Sequence, residues 1–152
     1  MREKINEAYK SAMKARAARR TATLRAVLAA IKDKDIEARG QGRGALGDEE
    51  VLSLLQKMVK QREESFGIYA AAGRDDLATV EKQEIDILAE FLPQPLSEAE
   101  VEAAIAAAVA ETGAAGPKDM GRVIGALRAQ YPGRMDFGKV AARVKERLAQ
   151  AG

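Results

Sequence analysis

The chain has 152 residues, is 47% hydrophobic and 32% charged, and has only 4% aromatic residues, with no cysteine and no histidine. Those two absences exclude disulfides, thiolate metal sites, the common zinc sites and the Ser-His-Asp and Cys-His nucleophiles. Much of the apolar content is alanine, the strongest helix former, and a formal net charge of +2 conceals an uneven distribution.

The opening segment, MREKINEAYKSAMKARAARR, has no apolar run behind its charges. No secretory leader is therefore expected, and the chain is read as cytoplasmic. No stretch approaches the roughly 20 apolar residues that cross a bilayer, so no membrane association is expected. Spacing predicts a first helix from about Glu3 to Ala18, with Ile5, Ala8, Ala12 and Met13 inward. Its other side is basic: in the first twenty residues seven cations oppose two carboxylates, a net of +5. Such charge runs are most often solvated helix faces. A second helix is expected from Thr21, as a cap, through Leu24, Val27, Leu28 and Ile31 to about Arg39.

Gly40 to Gly47, GQGRGALG, breaks the pattern. A phosphate-cradling loop needs a strand before it, whereas a helix precedes this one, so it reads as a flexible connection. Asp48 opens a long helix with Glu49 and Glu50 at its positive end. Val51, Leu52, Leu55, Met58, Val59, Phe66 and Tyr69 form its inner face, and Gly73 stops it. A fourth helix from Asp75 carries Leu77, Val80, Ile85, Leu88, Phe91 and Leu92, and Pro93 and Pro95 end it. The carboxylate pairs on these helices, such as Glu63 with Glu64 and Asp75 with Asp76, read as solvated or ion-paired, and no metal or cofactor is expected.

The PQPL segment, Pro93 to Leu96, marks a domain boundary, and Ser97 with Glu100 forms a capping-box signature for the next helix. The expected organisation is an all-α protein: a four-helix domain over 1–92, a linker over 93–96 and a small three-helix domain over 97–152. From Gly116 onward eight cations oppose three carboxylates, whereas the preceding helix carries Glu98, Glu100, Glu102 and Glu111 and no base.

The last third, KDMGRVIGALRAQYPGRMDFGKVAARVKERL, reads as two short helices joined by a basic turn. Met120, Val123, Ile124, Leu127 and Tyr131 share one side of the first, and Phe137, Val140, Ala141, Val144 and Leu148 one side of the second. Asp136 is placed to cap the second helix. Away from these faces lie a bare strip at Gly121 and Gly125 and a basic row at Lys139, Arg143 and Arg147. Such a surface suits a phosphate backbone. The same glycines would also admit a close-packed helix, and the same cations would serve as a solvated face.

Several stretches together carry a family resemblance: TLRAVLAAIK, LGDEEVLSLLQKMVKQREES, AGRDDLA, EKQEIDILAEFLPQPLSEAE, MGRVIGAL and GRMDFGKVAARVKERL. In these the chain resembles the GatB/YqeY family, stand-alone relatives of the C-terminal part of the B subunit of the glutamine-dependent aspartyl/glutamyl-tRNA amidotransferase. Phe91 and Pro95 depart from it, standing where a tyrosine and a second polar residue are usual. The resemblance implies an all-helical protein whose tail domain engages the outer corner, or elbow, of tRNA. Carried onto this chain, the implied RNA contacts are Gly121, Arg122, Gly125, Arg128, Arg134, Lys139 and Arg143. With no room for the larger catalytic domain of an amidotransferase, a complete active site is not expected. Two alternatives stand beside a tRNA-binding accessory protein: an adaptor whose basic tail meets a protein partner, and a non-catalytic subunit of a ligase complex.

Overall fold

In the computed structural model, residues 1–151 are described, and they form α-helices and one short 3-10 turn, with no strand among the described residues. The all-α class read from alanine content and helical spacing is what the backbone shows. No described helix is long and apolar enough to cross a membrane. The chain divides into two compact units, Met1–Pro93 and the remainder from Gln94.

The first unit holds α1 (Arg2–Lys14), α2 (Ala18–Gly40), α3 (Asp48–Ala71) and α4 (Asp75–Ala89). Its core is built around Ile5, Leu24, Val27, Val51, Leu55 and Leu88, all fully buried. The α3–α4 pair packs most extensively, and Arg62 clamps it by donating from Nε to Glu84 at 2.7 Å. Two side chains expected inside are not: Met13 is 44% exposed and Phe66 38% exposed. In the last turn of α1 it is Ala12 that is buried in the core, and Met13, one position on, is turned aside from it. Past Met58, α3 has no fully buried residue, so Phe66 lies outside the packed interior.

The junction between α1 and α2 also departs from the sequence reading. The first helix ends at Lys14 rather than Ala18, because Arg16 adopts a left-handed conformation with φ 55°. Around it the Ala17 N–H donates to the Ala12 carbonyl at 3.0 Å and the Arg16 N–H to Met13 at 3.1 Å, which is a Schellman stop. Thr21 does not cap α2: its own N–H already bonds to the Ala17 carbonyl inside the helix. Glycine normally fills the left-handed position, since a Cβ there costs about 1–2 kcal/mol. Arg16→Gly is therefore expected to stabilise the protein by about 0.5–1 kcal/mol in a denaturant titration, after glycine's larger unfolded-state entropy is subtracted.

The glycine-rich connection expected to be loose is fastened. Gly42, at φ 77°, makes the same kind of stop after α2, with the Arg43 N–H donating to the Ala38 carbonyl at 2.9 Å. Leu46 is buried, and its N–H donates to Asp35 Oδ1 at 2.9 Å while Arg2 donates to both oxygens of Asp35. The Arg2 guanidinium, and after it the Leu46 N–H, holds the Asp35 carboxyl at about 2. Gly73 stops α3 in the same way, with the Arg74 N–H donating to Tyr69 at 2.9 Å.

The second unit holds α5 (Glu98–Thr112), a 3-10 turn at Pro117–Asp119, α6 (Met120–Gln130) and α7 (Phe137–Ala151). The capping box at the start of α5 is formed: Ser97 Oγ accepts from the Glu100 N–H at 3.2 Å, and Glu100 Oε1 accepts from the Ser97 N–H at 3.0 Å. The core gathers Ile105, Val123, Leu127, Val144 and Leu148 with Val101 and Met135. Asp136 caps α7 as expected, its Oδ1 accepting from the Gly138 N–H at 3.0 Å and the Lys139 N–H at 3.3 Å.

Candidate nucleic-acid interface

The apolar face of α6 turns Val123 and Leu127 fully inward, with Ile124 and Ala126 packed against the same core, so positions 121 and 125 fall on the far side of the helical period. Gly121 and Gly125 are exposed, and a Cβ built on either meets nothing within 4 Å. Among the described residues, no neighbour stands close enough to require a glycine at either position. What their bareness does provide is close access to helix backbone, flanked on the same helix by Arg128, which is also exposed. The Arg128 guanidinium lies over the Phe137 ring, 5.0 Å from its centroid, which fixes the cation beside the first turn of α7 without neutralising it.

The other predicted contacts divide by what they already hold. Arg122 donates from Nη2 to Asp119 at 2.7 Å and from Nη1 to the Thr112 carbonyl at 3.0 Å, so it braces the C-terminal end of α5. Arg134, half-buried, donates from Nε to the Gln94 carbonyl at 3.0 Å, and its own carbonyl accepts from the Leu96 N–H at 2.9 Å. It thereby ties the entry segment of the unit to the α6–α7 turn. Arg143 is ion-paired to Glu98, and to Glu102 at 3.4 Å, both on α5. Lys139 is exposed and has no charged partner among the described residues. Because Arg143 reaches α5, Lys139 and Arg147, each four residues away, lie along that same flank of α7. The bare strip belongs to α6. The structure thus joins Gly121, Gly125 and Arg128 in one surface and sets Lys139 and Arg143 on the α5 flank.

Two features of this unit were not picked out from the sequence. Gly138 and Lys145 are exposed on α7, and Gly138 was legible only as a third glycine after the 121/125 pair. Asp119, one of the three carboxylates after Gly116, is buried and organises the loop before α6. Its Oδ2 accepts from the Ala115 N–H at 2.9 Å and the Gly116 N–H at 3.3 Å. Those bonds have no sequence signature, since an aspartate two residues after a proline is common in solvated turns.

The Ala115 N–H, the Arg122 guanidinium and the Gly116 N–H together hold the Asp119 carboxyl at about 2, against an ordinary value of 3.8. Folding thus favours the charged form. The resulting stability is complete above the ordinary carboxylate range and is lost as pH falls from about 4 through 2. Thermal melts at stepped pH should show the second unit weakening across that window. In Asp119→Asn the unit should be less stable at neutral pH and the dependence flatter; an unchanged acid slope would remove Asp119 as its source.

The YqeY-like protein family matches residues 2–148 of this chain. Among curated relatives, the altered inheritance of mitochondria protein 41 of Candida glabrata is 34% identical over 97 residues, covering 63% of this chain and 52% of that protein. The protein of the same name from Lachancea thermotolerans is 34% identical over 103 residues, covering 66% and 54%. That from Meyerozyma guilliermondii is 40% identical over 83 residues, covering 55% and 41%. The chain therefore spans about half the length of the curated relatives it matches, or less. These relatives are named as mitochondrial proteins, which overturns the cytoplasmic reading. That reading rested on the lack of an apolar secretory run, and such a lack excludes only a secretory leader. With the family matched from residue 2 to residue 148, the chain belongs to the YqeY-like family.

Proposed function

We propose that this protein is a tRNA-binding accessory protein related to the glutamine-dependent tRNA amidotransferase, without a complete active site of its own. The observation that carries the reading is the open strip on α6: Gly121 and Gly125 face solvent with nothing within 4 Å of an added Cβ, beside the exposed Arg128. Inside a helix, as at Gly125, a glycine costs about 0.5–1 kcal/mol relative to alanine. A close approach by a ligand backbone gives that cost a use. Arg128 at its edge, with Lys139 on the neighbouring helix, would neutralise phosphates and release counterions, so affinity falls with salt. The tail's two aromatic rings, Tyr131 and Phe137, are half-buried against the core, which favours recognition of RNA shape and backbone over stacking on bases.

The test is binding of the purified protein to unmodified tRNA over a salt series, with a tRNA lacking its elbow and a plain RNA duplex as controls. Preference for the intact elbow, declining with salt, is the expected result. Equal binding to all three, or none at low salt, would overturn the reading in favour of a protein adaptor. Lys139→Ala and Arg134→Ala should each weaken tRNA binding and lower the salt slope by about 1, as one phosphate is no longer neutralised. Lys139→Ala should leave the melting temperature unchanged, whereas Arg134→Ala should lower it slightly by removing the bond to Gln94.

A further inference from the structure

The basic opening of the chain folds into a corner whose charges are not matched. Along α1 and into α2, Arg2 is bound to Asp35, Lys10 lies 3.7 Å from Glu7, and Arg20 donates to Glu90 at 2.6 Å. Arg19 reaches Glu84 only at 3.8 Å, and that carboxylate is already held by Arg62 at 2.7 Å. Lys14 and Arg16 are exposed and have no counter-charge among the described residues, and no acidic residue stands in the first turn of α2. Three cations, Lys14, Arg16 and Arg19, thus stand within six positions at the α1–α2 turn with, between them, a share in one carboxylate.

The backbone marks the same place. Besides Arg16, the described residues with positive φ are Gly42, Gly73, Gly113 and Gly133. At the one left-handed position where glycine is not used, the chain carries a guanidinium, at a cost in stability. An observed outlier of this kind points to a role for the side chain. Beside it runs a groove lined by Ala17, Ala18 and Ile87 with Arg19, Arg20 and Asp86, and Asp86 is paired with Lys82 at 3.1 Å.

We propose that the corner between α1 and α2 is a second RNA-backbone-binding surface, with Lys14, Arg16 and Arg19 as its phosphate contacts. Guanidinium forks match pairs of phosphate oxygens, and two of the three cations are arginines. The one exposed large apolar side chain near the turn is Met13. The corner therefore lacks the aromatic and aliphatic anchors on which a protein interface relies. The proposal rests on the tRNA-binding reading for the nature of its ligand, but on different residues in the other unit.

Arg16→Gly supplies the test, because it removes the cation while relieving the backbone. In the full-length protein it should raise the unfolding midpoint. It should also lower the salt slope of tRNA binding by about 1 and weaken binding about threefold or more at moderate salt. Weaker binding caused by misfolding would move the midpoint the other way. Wild-type affinity and slope in Arg16→Gly, with weakening in Gly125→Glu, would overturn the corner and leave the tail reading standing. Weakening in Arg16→Gly alone would do the reverse. No binding of tRNA by the wild-type protein would overturn both. Displacement of bound tRNA by polyglutamate as readily as by unlabelled tRNA would make the corner a surface for acidic proteins and sink the RNA proposal.

Discussion

Replacing Leu127 with alanine is expected to unfold the second unit while leaving the first folded. Leu127 is fully buried on α6 among Val101, Ile105, Val123, Val144 and Leu148, contributed by all three helices of that unit. Deleting three buried carbons costs about 2–5 kcal/mol, the spread depending on how far the neighbours collapse into the gap. A core of this size rarely supplies more than about 3–5 kcal/mol in total. The first unit has a separate cluster built on Ile5, Leu24, Leu55 and Leu88. Amide hydrogen exchange should therefore show α5 to α7 losing protection in Leu127→Ala while α1 to α4 keep theirs. A destabilisation below about 1 kcal/mol would mean that Leu127 is not closed in as described.

The second large effect is expected at Gly125, where stability and binding should separate. Because an added Cβ meets nothing within 4 Å, Gly125→Ala removes a helix-interior glycine without a clash and should stabilise the second unit by about 0.5–1 kcal/mol. Gly125→Glu should also fold, since the position is open. It places a carboxylate on a flexible stem over the strip, and tRNA affinity should fall by about tenfold or more, or roughly 1.4 kcal/mol. Helix packing and ligand approach were equally good explanations of the two glycines in the sequence. The open space above them makes the experiment discriminating: close packing would make both variants destabilising, and unchanged tRNA binding by a well-folded Gly125→Glu would show that RNA does not approach there.

Much of the local structure was legible because its causes lie within a few residues. Ser97 and Glu100 announce the start of α5, Asp136 that of α7, and Gly73 the end of α3, through bonds that each element makes to itself. Where the local signal was ordinary, the reading slipped. KARAARR contains neither glycine nor proline, so the helix ran on to Ala18 in the sequence and stops at Lys14 in the structure. Thr21 is a good capping residue that is not used as one, since the break falls earlier at Arg16. Phe66 fits the helical period of α3 but lies past the last buried residue of that helix, and periodicity cannot report where a core ends.

The candidate site divides in the same manner. Amino-acid order alone established the all-helical class, the apolar faces of α6 and α7 and the bare positions 121 and 125, because helix propensity and a 3.6-residue period act over short distances. Only the tertiary structure decided which charges remain available. Arg143 is neutralised by Glu98, 45 positions away, and Arg134 is bound to a carbonyl 40 positions away, whereas Lys139 and Arg128 meet no carboxylate among the described residues. Ion pairs of such separation form when packing brings two helices side by side, and a list of cations in a chain carries no record of which carboxylates will stand opposite them.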